Sequence, residues 1–209
     1  MIKAIIFDMD GVLIEAKEWH YEALNRALRL FGYEITRHEH LTTYDGLPTR
    51  RKLQMLSEQK GLPVRLHPYI NMLKQQYTIE RIHTDCFPIF AHQYALNRLK
   101  QEGYHLACAS NSIRYTVELM MERSDLMKYL DFYLSNQDVT KAKPDPEIYL
   151  KAAERLGLKP EECLVVEDNF NGIAAAKAAG THVMKVETIY DVNYDNIRKH
   201  IALAEGGKI

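Results

Sequence analysis

Five short apolar runs that do not alternate with polar residues place the tightest limit on how this chain can fold. They are Ala4–Phe7, His105–Ala109, Phe132–Leu134, Leu164–Val166 and His182–Val186. A half-exposed strand alternates apolar and polar side chains, whereas unbroken apolar runs suit strands covered on both faces, as in a parallel sheet. Amphipathic stretches of helical period lie between them, at Ala91–Glu102, Ile113–Glu122, Pro146–Leu156 and Gly172–Ala179. Gly103, Gly157 and Gly180 fall just past three of these stretches, where a left-handed residue commonly ends a helix. Strand and helix in repeated alternation predict an α/β protein with a doubly wound parallel sheet.

One interval breaks the alternation. From Glu15 to about Cys86 the pattern is helical, with stretches Ala16–Phe31, Thr49–Lys60 and Pro68–Ile79 and no convincing strand. The expected organisation is therefore an α/β core from residues 1–14 and 87–209, with a helical cap, residues 15–86, inserted after the first strand. The insertion holds 11 Lys+Arg against 9 Asp+Glu, while the whole chain holds 27 against 28. A net charge of −1 disfavours a surface built for a polyanion. Cys86, Cys108 and Cys163 have no metal-binding spacing and read as reduced thiols, which points to the cytoplasm. The N-terminal apolar run stops at Asp8, and no stretch approaches the ~20 apolar residues of a membrane span. Neither nucleic acid nor membrane is expected as a partner.

Ligands of open parallel sheets bind beyond the carboxyl ends of the strands. Asp8-Met9-Asp10-Gly11 follows the first apolar run, Ser110-Asn111-Ser112 the second and Glu167-Asp168-Asn169 the fourth; Lys143 lies in the loop after the third. Clustered carboxylates repel one another and need a cation to stay ionised together. An all-oxygen set without His or Cys suits a hard ion, Mg²⁺ above all. Such an ion beside lysine and hydroxyl donors clamps phosphoryl oxygens, and a carboxylate can attack phosphorus. A second carboxyl group two residues away can protonate the leaving oxygen and then activate water.

Each piece also has a plain structural reading. Asp-x-Asp-Gly after a strand is a common turn. Glu167-Asp168-Asn169 could simply cap a following helix, and Lys143 before Pro144 could be a solvated loop lysine. Four such groups after four strands favour a shared site.

These residues also carry a family resemblance. Phe7-Asp8-Met9-Asp10-Gly11-Val12-Leu13, Ala109-Ser110-Asn111, Lys143-Pro144-Asp145-Pro146-Glu147-Ile148-Tyr149 and Val166-Glu167-Asp168-Asn169, running on to Gly172-Ile173 and Ala178-Ala179-Gly180, resemble the four motifs of the haloacid dehalogenase superfamily. The branch it resembles is that of the β-phosphoglucomutase-like phosphatases, with a Rossmann-like core and a helical cap, and the match runs from Lys3 to about Val186. The resemblance implies Asp8 as nucleophile and Asp10 as general acid and base. It implies Mg²⁺ held by Asp8 and Asp168 and the Asp10 backbone carbonyl, with Glu167 in or just behind that shell. Ser110 and Asn111 would hold phosphate oxygens, and Lys143 would balance charge beside Asp8.

Two departures from the family pattern are visible: Glu15-Ala16 where many relatives have Asp followed by Ser or Thr, and Asn169 where Ser is more usual. His20 resembles a histidine that mutases place near the leaving hydroxyl. Asp45 and Thr49 stand where mutases carry Lys and Arg, and Gly46-Leu47-Pro48-Thr49-Arg50 looks more like the phosphatases. Arg50 is the cap residue suited to grip an anionic substrate. The five cap histidines, His20, His38, His40, His67 and His83, lack the close, regular spacing of a zinc site. The expected function is a Mg²⁺-dependent phosphatase of small phosphorylated metabolites, sugar phosphates first, in a monomer or weak homodimer. A hexose-phosphate phosphomutase and a catalytically silent binding module remain as alternatives.

Overall fold

A computed structural model describes residues 1–206, which divide into two compact units. One is Met1–Glu15 together with the chain from Cys86 onward; the other is Ala16–Asp85.

The first unit is built on five parallel strands, β1 (Ala4–Phe7), β2 (His105–Ala109), β3 (Phe132–Leu134), β4 (Cys163–Glu167) and β5 (His182–Lys185). Their order across the sheet is β3-β2-β1-β4-β5. All four residues of β1 and all five of β4 are buried, as unbroken apolar strands require. Helices surround the sheet. Those at Glu147–Leu156 and Phe170–Ala179 pack Ile148, Tyr149, Ala152, Ala175 and Ala176 against Ala4, Ile6, Cys163 and Val165. Both end on glycines in the left-handed conformation, Gly157 and Gly180, as the sequence predicts. The helix Tyr194–Ala204 has no counterpart in the sequence reading. It carries only Ile197 and Ile201 as buried residues, too thin a stripe to stand out, and is started by Asn193, whose side chain accepts from the Asn196 amide.

The second unit is entirely helical, with helices Lys17–Arg29, Thr49–Lys60 and His67–Asp85. Leu24, Leu28, Ile35, Tyr44, Leu53, Leu56, Leu62 and Ile70 form its core. The last helix runs six residues past the predicted Ile79. Its buried stripe is Ile70, Lys74, Thr78 and Ile82, so the apolar pattern fades while the helical period continues. The loop between the first two helices is held from inside. The Asn25 side chain, 2% exposed, donates to the Ile35 carbonyl at 2.8 Å and accepts from the Ile35 amide at 2.9 Å. Among the described residues no helix is long and apolar enough to cross a membrane.

Asn25→Ala strands both backbone groups of Ile35 in this core. The expected loss is about 2–4 kcal/mol of stability by denaturant unfolding, from two buried groups at about 1–3 kcal/mol each with partial rehydration. A loss under about 0.5 kcal/mol would show that water replaces the amide.

Candidate active site

The site is set by strand register. Phe7 lies level with Cys108 on one side and Val166 on the other, so the three central strands end within one residue of the same height. The Asp8 amide extends the ladder by donating to the Val166 carbonyl at 3.0 Å, and the Ser110 amide donates to Leu134 at 3.0 Å. Asp8, Ser110 and Glu167 are all buried.

Lys143 joins these loops. Only 4% exposed, it donates from Nζ to Asp8 Oδ1 at 2.7 Å, to Glu167 Oε1 at 2.7 Å and to the Ala109 carbonyl at 2.9 Å. An ammonium has three donors, and all three are used on three different strand ends. The solvated-loop reading of Lys143 therefore fails. Its backbone amide donates to Asn111 Oδ1 at 3.2 Å, which ties the loop to the end of β2.

Glu167 is equally committed. Oε1 accepts from Lys143 and from the Tyr149 hydroxyl at 2.7 Å; Oε2 accepts from the amides of Asp168 at 3.1 Å and Asn169 at 3.3 Å. The Tyr149 ring also lies under the ammonium, 4.8 Å from Nζ to its centre. Helix capping, the plain reading of this segment, falls to Asn169 alone, whose side chain accepts from the Asn171 amide. Gly172 explains itself here: a β-carbon on it would meet Glu167 Oε1 at 1.7 Å.

Asp10 is half-buried and accepts from the Ser112 hydroxyl at 2.9 Å. Ser110 Oγ accepts from the Ser112 amide at 3.0 Å. Ser112, Tyr149 and Gly172 are site residues that the sequence does not single out. Ser112 and Tyr149 lie beside the motif residues in sequence, but their partners are decided by side-chain reach across the sheet.

The two remaining candidates, His20 and Arg50, belong to the helical unit. His20 Nδ1 lies 3.0 Å from Lys74 Nζ, and Arg50 is exposed in the first turn of Thr49–Lys60. Of the trio Arg50-Arg51-Lys52, Arg50 and Arg51 are exposed, but Lys52 is buried, four residues before Leu56 on the inward stripe. His40, buried nearby, has its pKa lowered by burial and then by the Lys52 charge.

Burial raises the Asp8 carboxyl well above its ordinary pKa; Glu167 pushes the same way, Lys143 pulls it down, and Asp168 and Asp10 raise it further. Burial opposes the charge on Lys143, yet Asp8 and Glu167 outweigh it and hold the ammonium protonated. Burial and Glu167 keep the Tyr149 hydroxyl protonated as a donor. One lysine thus faces more carboxylate charge than it can neutralise. Asp8, Glu167 and Asp168 each bring an oxygen within 4.8 Å of the others. This all-oxygen donor set fits a hard divalent cation, whose charge would let Asp8 ionise.

The model of the haloacid dehalogenase-like hydrolases matches residues 5–186. A phosphorylated carbohydrates phosphatase of Thermotoga maritima is 31% identical, the alignment covering 100% of this chain and 93% of that protein. A β-phosphoglucomutase from Clostridium difficile superposes with a TM-score of 0.84 over 99% of this chain and 100% of its own; at 20% identity this is a likeness of fold. The CbbY protein of Rhodobacter sphaeroides, solved in complex with phosphate, superposes with a TM-score of 0.78 at 28% identity, covering 88% of this chain and 85% of that one.

Gly172→Ala forces the Glu167 carboxylate aside and loosens its bonds to Lys143 and Tyr149. The expected loss is roughly 1–3 kcal/mol by chemical denaturation, the range for overpacking a filled interior. Unchanged stability would mean that Glu167 can swing away freely.

Proposed function

The chain belongs to the haloacid dehalogenase-like hydrolase family and is a phosphoric monoester hydrolase, and we propose that it acts on small phosphorylated metabolites, sugar phosphates above all, through a phosphorylated Asp8. The observation that carries this reading is Lys143, buried between Asp8 and Glu167 beneath the level ends of β1 and β4. The name of the 31% identical relative supports carbohydrate phosphates as the substrate class.

In this reading the Asp8 carboxylate attacks phosphorus, and the bond from phosphorus to the leaving oxygen breaks as Asp10 delivers a proton to that oxygen. Asp10, now ionised, takes a proton from water as that water attacks the aspartyl phosphate, releasing phosphate and restoring Asp8. The Ser112 hydroxyl, which donates to Asp10 Oδ2, steers its carboxyl group between the two steps. Ser110 and Asn111 hold phosphate oxygens. The Asn111 carbonyl oxygen is occupied by the Lys143 amide, which leaves its NH₂ group to donate. Asp8 and Asp168 would hold Mg²⁺ through carboxylates and Asp10 through its backbone carbonyl, with Glu167 behind them, since four bonds already occupy its oxygens. Mg²⁺, when bound, supplies the positive charge that offsets the carboxylates and polarises the phosphoryl oxygens. His20 and Arg50 are proposed to select the substrate.

The test is phosphate release from a panel of sugar phosphates and other small phosphates, with Mg²⁺ and with chelator, following isomer products in the same samples. Release that requires Mg²⁺ and falls below about a thousandth in Asp8→Asn is expected, because an amide cannot replace the nucleophile. Near wild-type turnover in Asp8→Asn would remove the mechanism. Isomerisation outrunning release would make the protein a phosphomutase, and neither activity from a folded protein would favour a binding module.

Arg50→Ala is expected to lower kcat/KM on the best panel substrate by about tenfold while sparing poor ones, the worth of one exposed charge-assisted contact at about 1.4 kcal/mol. A uniform loss across the panel would argue against a selecting role.

A further inference from the structure

Lys143 reaches its partners from a loop, and loops are the most mobile way to carry a site residue. Something must hold this one. On its C-terminal side the loop enters the helix Glu147–Leu156, and the side chain of the first helical residue turns back across it. Glu147 accepts from the Thr140 amide at 3.0 Å on both of its oxygens, from the Thr140 hydroxyl at 2.7 Å and from the Lys141 amide at 2.9 Å. Lys151, one turn along the helix, pairs with Oε1 at 2.9 Å. A single carboxylate thus closes the loop 140–147 at its neck, with Lys143 inside it. The far side is tied by the bond from the Lys143 amide to Asn111.

We propose that Glu147 is a positioning residue for catalysis: by clasping Thr140 and Lys141 it sets where the Lys143 ammonium stands relative to Asp8. The inference rests on the functional reading above for its consequence in turnover, but its structural half stands apart from that reading. Glu147 touches neither Asp8, Asp10, Asp168 nor Glu167 among the described contacts, so it acts only through the loop. Its own donors, the Thr140 amide and hydroxyl first, hold its pKa down at about 2. The clasp is therefore ionised throughout any ordinary assay range. Its side chain is 20% exposed, in contrast to the buried Lys143, so water reaches the loop amides when it is removed.

The experiment compares Glu147→Ala, Glu147→Gln and the control Glu154→Gln, an exposed charge on the same helix, with wild type. Each is assayed with Mg²⁺ on p-nitrophenyl phosphate and on the best panel substrate, together with its thermal midpoint. The expected result is a kcat about tenfold lower in Glu147→Ala, within the ~100-fold that an ångström of misplacement can remove. KM should stay within about twofold, Glu147→Gln should lie between because one acceptor oxygen remains, and the control should match wild type. A kcat equal to wild type in Glu147→Ala overturns the proposal. So does a fall that only tracks the unfolded fraction. A crystal structure of Glu147→Ala separates the two readings. If wild type shows no phosphatase activity, the functional reading fails, and the clasp is judged by the structure alone. Lys143 Nζ displaced from Asp8 and Glu167 supports it, and Lys143 unmoved overturns it.

Discussion

The ammonium of Lys143 is the interaction on which the rest of this architecture depends. It is buried, it spends its three donors on the ends of β1, β2 and β4, and it is the charge that lets two carboxylates stand side by side. Such a group is expensive to remove, because the partners left behind are buried anions without a counter-charge. It is also demanding to keep, because its donors reach their acceptors only if three strands end at one level. The parallel register of Phe7 with Cys108 and Val166 meets that demand. The sheet therefore acts as a jig for the site as well as a core.

Around the lysine the structure removes freedom from each neighbour in turn. Glu167 has both oxygens doubly engaged, Tyr149 supplies one of those bonds and also lies beneath the cation, and Gly172 leaves the space that the carboxylate fills. Asp8, bound directly to Lys143, and Asp168 add more negative charge beside Glu167 than one ammonium offsets. Rigid surroundings with an excess of carboxylate charge are what a cation and a phosphoryl group together would complete. Charge and fold thus point to the same reaction class.

The helical unit shows a different economy. Lys52 and Lys74 lie on the inward faces of their helices beside His40 and His20, where an apolar stripe would have been expected. Its core is otherwise apolar, mostly leucine and isoleucine with Tyr44 and Ala27, and the Asn25 clip holds Ile35 in it. The helix His67–Asp85 reads as shorter than it is because Ile82 is its single buried residue beyond Ile79.

The class of fold and the carboxylates and lysine of the candidate site are legible in the order of residues alone. Unbroken apolar runs can be satisfied only by strands covered on both faces, and the polar residues directly after such strands have few places to go. Glycine positions marked helix ends because a left-handed residue costs least there. Which of those polar groups meet is settled by packing. Lys143 and Glu167 are 24 residues apart and Lys143 and Asp8 are 135 apart, and neither pairing has a local signal. Tyr149 reads as one more apolar residue of a helix until its hydroxyl meets Glu167, and Glu147 reads as an ordinary acidic residue in a first turn until its side chain folds back over the loop. Periodicity reports which face of an element is buried; the direction and reach of a side chain across to another element depend on the packed sheet, and that is where the chemistry is assembled.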